Sequence, residues 1–294
     1  KKHKVEVTSN ESYYLTIPKR KKKTIKTVLE YKGPLQAPIK KNDKVALLNV
    51  YVSGDLKKQI DNKYLLDFGC GPGTITLDLA EHLLPEGSVV GIDNSRVVID
   101  QARVGANEKG TQNVRFEVKS IYDTGYEAET FDAVYAHQVL QHLSEPVKAL
   151  SEAKRVLKPG GICAAREVDW GTAVLWPPDE RLSAFLDVYS RVAARNGGDD
   201  CAGRRLKEWF IQAEFSDLDV TTSTWAFSDQ NGLKWWGEQW AERILHSELG
   251  RRALDYGIAT DNDLEEISRG WLEWVDKRGA FFTFIHVEII GVRD

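Results

Sequence analysis

The stretch LLDFGCGPGTITLDLA, Leu65 to Ala80, constrains this chain more than any other. A short apolar run ends at Asp67 and Phe68. Three glycines follow at every second position, Gly69, Gly71 and Gly73, and a helical pattern begins directly after them. A strand, a glycine turn and a helix in that order bring helix backbone close to a ligand, because glycine adopts turn geometries that a side chain forbids. Loops of this kind usually cradle pyrophosphate and space their glycines G-x-G-x-x-G. Here the spacing is tighter, Pro72 separates the last two glycines, and Asp67 puts negative charge at the strand end. By Coulomb's law, such a loop suits an ammonium or sulfonium group better than two phosphates.

The residues around this loop predict a mostly parallel sheet. Apolar runs YLLDF, SVVGID, VRFEV, FDAVYA and ICAAREV alternate with helical segments, the pattern of an α/β domain. One helix is well punctuated: Ser144 is placed to cap it, Pro146 lies in its first turn, and Lys158-Pro159-Gly160-Gly161 ends it. Further helices are expected near 179–195, 203–213, 231–256 and 261–276, and DLDVTTSTWAF and FFTFIHVEIIGV would complete the sheet as strands. The second strand ends in Asp93, next to Asn94. An acidic residue about 20 positions after the glycines is the usual partner of ribose hydroxyls. A ribose at one end and a cationic amino-acid group at the other describe S-adenosylmethionine (SAM).

Bulk properties bound the remaining choices. The chain has 294 residues, 42% hydrophobic and 29% charged, enough for one large or two smaller domains. No apolar run approaches a membrane span, and Lys1 opens a hydrophilic stretch without a signal-peptide core, so a cytoplasmic location is expected. Cys70, Cys163 and Cys201 are odd in number and widely spaced, which fits free thiols and no metal site. The absence of methionine suggests an excised, processed or engineered chain. Charge is unevenly spread. Residues 1–63 hold 16 Lys+Arg against 6 Asp+Glu, a balance of +10, whereas the remainder holds 24 against 38, a balance of −14. All nine tryptophans lie at or after Trp170. In the basic start, TIKTVLEY and VALLNVYV read as strands and KRKKK (Lys19–Lys23) as a solvated hairpin tip rather than a nucleic-acid patch. No nucleic-acid or membrane partner is expected, and oligomeric state is not legible.

The ordered set LLDFGCGPG, VVGID, VRFEVKSIYD, FDAVYAHQVLQHL and RVLKPGG resembles the class I SAM-dependent methyltransferases over about residues 63–294. It is most similar to the branch that includes the ubiquinone and menaquinone methyltransferases. AHQVLQHLSEPVKAL, ARNGGDDCAGRRLKEW and KWWGEQWAERI resemble fungal enzymes that methylate small metabolites, the gliotoxin thiol methyltransferases among them. The resemblance implies a Rossmann-like, seven-stranded, mostly parallel sheet with helical insertions. It also implies that Asp67, Gly69, Gly71 and Gly73 border the methionine moiety, that Asp93 holds the ribose, that Ser120 and Ile121 flank adenine, and that His137 and Gln138 floor the pocket. Ser120 departs from the acidic residue that the family often carries in that slot. The basic start is similar instead to the β-rich C-terminal domain of D-alanyl-D-alanine carboxypeptidases, with PLQAPIKKND the most telling phrase, although Asn42 and Ala46 stand where glycines are common. That domain carries no catalytic residues in its family and normally lies outside the cytoplasmic membrane. The chain is therefore expected to be a fusion or chimera: a β-rich module over residues 1–60 and a methyltransferase domain over 61–294 with Trp-rich, substrate-side insertions after 170.

Several residues carry two readings. His137 and His142 sit near the expected pocket and suit a general base for an oxygen or nitrogen nucleophile, or else fill structural roles. Asp169 is a third candidate base. Arg166 and Asp169 lie at the end of the fifth strand, where α/β ligands bind, or form a structural ion pair. Trp170, Trp235, Trp236 and Trp240 line a substrate pocket or pack as core. The expected activity is methyl transfer from SAM, releasing S-adenosylhomocysteine, to a small, largely apolar acceptor with a thiol, oxygen or carbon nucleophile. The rival is a folded but non-catalytic fusion lacking the usual N-terminal cofactor lid. An NAD-dependent oxidoreductase is disfavoured by Asp67 and the glycine spacing.

Overall fold

The computed structural model describes residues 63–84 and 87–294 in full, together with the backbone of three strands earlier in the chain. The chain forms two compact units, Lys1–Asp61 and Asn62–Asp294. In the first, β1 (Ile25–Glu30), β2 (Leu47–Val52) and β3 (Asp55–Lys58) make an antiparallel sheet in sequence order. The KRKKK run and the segment with Pro34 and Pro38 lie outside the described residues.

The second unit alternates strand and helix as its sequence predicts. β4 (Tyr64–Phe68), α1 (Thr74–His82), β5 (Ser88–Asp93), α2 (Arg96–Lys109), β6 (Val114–Val118) and β7 (Phe131–His137) lead to α3 (Pro146–Val156) and the long β8 (Leu157–Trp176). α4 (Glu180–Arg195), α5 (Ala202–Gln212), β9 (Ser216–Phe227), α6 (Gln230–His246), α7 (Glu248–Asp255), α8 (Asp261–Trp274) and β10 (Phe281–Val292) follow. The seven strands are ordered β6-β5-β4-β7-β8-β10-β9. β10 runs antiparallel to both neighbours, while the pairings among β4 to β8 are parallel.

Two local expectations are corrected. α3 has Glu145, not Ser144, in the cap position and no side-chain capping bond, because Pro146 itself opens the helix and gives up no amide there. The stretch 231–256 is two helices. Ser247 is extended, with φ −104° and ψ 176°, and its hydroxyl accepts from Leu249 N at 3.2 Å to start α7.

Three cores result among the described residues. The central one packs Leu66, Phe68, Ile92 and Phe131 of the sheet against α3 and α5. The third is aromatic and lies where β8, β9 and β10 meet α4, α6 and α8; Phe185, Trp271, Trp274, Phe282 and Phe284 are fully buried in it. β10 alternates, so Phe282, Phe284 and His286 share its buried face.

Candidate active site

Strand order reverses at β4: β5 and β6 extend the sheet one way, β7 and β8 the other. In an open α/β sheet, the carboxyl ends of strands beside such a reversal leave a crevice that ligands occupy. The glycine loop after β4 forms its floor. Gly69 has φ +63°, and a Cβ there would lie 2.7 Å from the Val139 side chain. Gly73 has φ +80° and would collide with Phe116 and Ala102. Both positions therefore require glycine, one to let the loop after β7 close in and one to seat α1 on the sheet.

Asp93 ends β5 and ties the loops together. Its Oδ2 accepts from Gly71 N at 3.2 Å and its Oδ1 from Ser95 N at 2.9 Å. Each oxygen keeps a lone pair for a further donor. A cavity of about 300 Å³ opens here, lined among others by Gly69, Asp93, Asn94, Ser120, Ile121 and Gln138. The structure thus brings together six of the residues expected to bind cofactor. A vicinal diol would meet Asp93, and a flat ring would meet Ile121 and Tyr122. The one lysine on the wall, Lys119, already donates to Thr124 O at 2.6 Å. The donor set fits a nucleoside with a bare-backbone approach better than a pyrophosphate.

Other expected residues are placed elsewhere. Asp67 is turned inward: it is buried, accepts from Thr76 Oγ1 at 2.6 Å, and pins the start of α1 to β4. Burial pushes its carboxyl up to about 7, so it is a poor source of negative charge for the crevice. Gly71 and Gly73 shape the loop without lining the cavity. His137 faces Arg166, whose Nη1 lies 3.1 Å from Nε2, and burial together with that guanidinium lowers the imidazole to about 4. Arg166 also donates to Glu288 at 3.0 Å and Ser223 at 3.1 Å, which makes it a cross-strand brace. Asp169 is held by both Nε and Nη2 of Arg204 at 2.6 Å. Neither Arg166 nor Asp169 lines a cavity around the crevice. Cys70 has its thiol pushed up by burial, with Asp67 and Asp93 adding to the shift, which disfavours a nucleophilic thiolate. On the loop before α5, Asp199, Asp200 and Cys201 bring three candidate ligand atoms within 4.8 Å of one another, with Asp199 accepting from Cys201 N at 2.9 Å.

Beyond Gln138 lies a second cavity of about 440 Å³ with aromatic walls, including Trp170, Trp225, Trp236, Trp240 and Phe284. Gln138 and His142 line both cavities, and His142 also borders a third, of about 380 Å³, under α4 and α7. The His142 side chain is exposed toward these cavities, and desolvation by its surroundings lowers its imidazole from the ordinary value. Gln138 holds φ +54°, a left-handed conformation that costs a non-glycine residue energy and marks functional sites. Its amide donates to Arg166 O at 2.8 Å, and its side-chain nitrogen lies 2.8 Å from His286 Nε2. Glu167 of β8, fully buried, accepts from Val139 N at 2.8 Å and Leu140 N at 2.7 Å and so fixes the loop that carries Gln138 and His142.

His286, Glu167, Tyr189, Trp225 and Gln141 are absent from the sequence expectations. Alternation along FFTFIHVEII could have placed His286 on the buried face with Phe282 and Phe284, but nothing local indicates its partner, 148 positions away.

Comparison with known proteins bears on the family and the fold. The methyltransferase-domain family matches residues 60–214, and the C-terminal domain of penicillin-binding protein 5 matches residues 1–68. An uncharacterized methyltransferase of Schizosaccharomyces pombe is 36% identical over 228 residues, covering 74% of this chain and 80% of that protein. The probable methyltransferase ltbC of Aspergillus luteorubrus is 29% identical, covering 78% and 85%. In fold, the chain is similar to phosphoethanolamine N-methyltransferase 2 of Haemonchus contortus, solved with phosphomonomethylethanolamine and S-adenosylhomocysteine, with a TM-score of 0.51 at 18% identity over 81% of this chain and 50% of that one. The crevice, the glycine loop and these relatives lead to one conclusion: the chain belongs to the methyltransferase family, as an enzyme of the class I, SAM-dependent fold.

Proposed function

We propose that the enzyme methylates a small, largely apolar molecule, bound in the aromatic cavity with its nucleophile reaching the methyl group through the gap between Gln138 and His142. The observation that carries this reading is the sharing of those two residues by the crevice and the aromatic cavity. When bound, SAM supplies a methyl group already activated by its sulfonium. The chain's own residues then have to bind, orient and exclude water. Asp93 accepts the ribose hydroxyls, with Asn94 beside it. Ser120 and Ile121 flank adenine, and the bare backbone of Gly69 lets the amino-acid end approach. Gln138, held by His286, separates the two cavities and fixes the line of attack. His142 takes the proton from a hydroxyl or thiol nucleophile, while Trp170, Trp236 and Trp240 enclose the acceptor.

The β-rich module of residues 1–60 takes no part in this chemistry in our reading, and the chain works as a fusion. Its resemblance to a non-catalytic domain supports that division. The place of action is where SAM is made available, the cytoplasm.

The test is calorimetric titration with S-adenosylhomocysteine and, separately, with NAD, followed by transfer of labelled methyl from SAM to a panel of small acceptors. S-adenosylhomocysteine should bind and NAD should not; tighter binding of NAD ends the proposal. His142→Gln should lower transfer to an oxygen acceptor by about 10²-fold or more while leaving the protein folded.

A further inference from the structure

We propose that the acceptor is a planar aromatic anion: an aromatic acid whose ring lies among the tryptophans and whose acidic group meets Arg243. This inference rests on the methyl-transfer reading above for the role of the aromatic cavity and adds the chemical class of what fills it.

Aromatic walls by themselves leave two opposite choices. Indole faces stack flat rings, and they also attract cations through the ring quadrupole. Charge decides between them. Among the residues lining the aromatic cavity there is no carboxylate, and Arg243 carries the one formal charge. Its guanidinium stands 5.3 Å from the centre of the Trp240 ring, so the cation–π position at that indole is already filled by the protein. Glu248, at the start of α7, does not neutralise it. That carboxylate is taken by Arg251 at 2.6 Å and Arg252 at 3.3 Å, in the neighbouring cavity. A cationic acceptor would meet Arg243 with nothing to offset the repulsion, whereas an anion would gain the attraction.

The indole nitrogens of Trp170, Trp236 and Trp240 and Oε1 of Gln141 are buried within the walls and present no surface to the cavity, so the aromatic residues offer a ligand mainly apolar surface and Arg243 supplies the charge.

The experiment uses three probes of one shape: 3-hydroxy-2-naphthoate, 2-naphthol and 2-naphthylmethylammonium. Each is titrated into the full chain, with and without S-adenosylhomocysteine, by following quenching of tryptophan fluorescence. We expect the naphthoate to bind about tenfold or more tighter than the ammonium, with the naphthol between them. Arg243 is exposed at the cavity mouth, so Arg243→Gln should fold normally and abolish most of that preference. The inference is overturned if the ammonium binds as tightly as the naphthoate, or if Arg243→Gln leaves the naphthoate affinity unchanged. S-adenosylhomocysteine is also titrated alone. Its failure to bind would overturn the methyl-transfer reading, which the order of the probes does not touch.

Discussion

The crevice and the aromatic cavity share two residues, yet they are built by opposite means. The crevice is made of backbone and short side chains from consecutive strand ends: three glycines, Asp93, Ser120 and the turn at Gln138. The aromatic cavity is made of large side chains carried by β8, β9, β10, α4 and α6, far apart in sequence. A backbone-built site depends on where a few dihedral angles lie and tolerates little change in them. A side-chain-built site depends on packing, and its walls double as the core that keeps this end of the sheet folded. The two halves should therefore fail differently: the aromatic half by losing stability, the crevice by losing ligand.

The largest effect should come from the aromatic half. Trp274 is fully buried, and its indole donates to Pro177 O at 2.7 Å. Trp274→Ala should cost about 3–5 kcal/mol and lower the melting temperature by roughly 10 °C. Below that transition, S-adenosylhomocysteine affinity should be nearly unchanged; equal losses of stability and affinity would break the division.

Next comes a contrast inside the glycine loop. Gly73→Val combines a left-handed backbone with a Cβ 2.7 Å from Phe116. Strain of about 1–3 kcal/mol adds to overpacking of similar size, and S-adenosylhomocysteine binding should be lost with the loop. Gly71 has φ +53° but open space around its Cβ position, so Gly71→Ala should cost only about 1–2 kcal/mol of stability. Thermal melts of the two variants check the contrast.

A smaller effect falls mainly on affinity. Asp93→Ala removes the acceptor for the ribose and for Gly71 N and Ser95 N, and should weaken S-adenosylhomocysteine by about 1–3 kcal/mol. Unchanged affinity would take the ribose from Asp93.

What the sequence made legible follows the same division. The strands from β4 to β8, the glycine loop and Asp93 were readable because each is specified within a few residues: alternating or apolar runs, turn glycines, an acid at a strand end. The position of Asp67 was readable but its orientation was not, since Thr76, one turn into α1, captures its carboxylate. Trp170, Trp236 and Trp240 were readable as candidates, but their meeting with Trp225 depends on β10 lying between β8 and β9, a pairing set by the whole sheet. For Arg166 the sequence leaves a substrate contact and a structural ion pair both open, because its cross-strand partners Glu288 and Ser223 lie more than 50 positions away.

The smallest effect lies at the seam between the halves, where Glu167 of β8 holds the loop of Gln138 and His142. Burial pushes its carboxyl up to about 8, although the amides of Leu140 and Val139 pull the other way. Its Oε1 alone holds both amides, and its Oε2 is buried without a partner. An acid whose pKa is higher folded than unfolded binds more protons in the folded state, so its contribution falls as pH rises from the unfolded value of about 4.5 towards 8. The wild-type melting temperature should therefore decline across that window. Glu167→Gln keeps an oxygen for the two amides and cannot ionise, so its melting temperature should decline less and should exceed the wild type above pH 8. S-adenosylhomocysteine affinity should follow the same trend weakly, because the loop touches the crevice through Gln138. Parallel melting profiles for the two proteins would mean that Glu167 is already ionised at neutral pH, and that the seam is held by charge rather than by a buried acid.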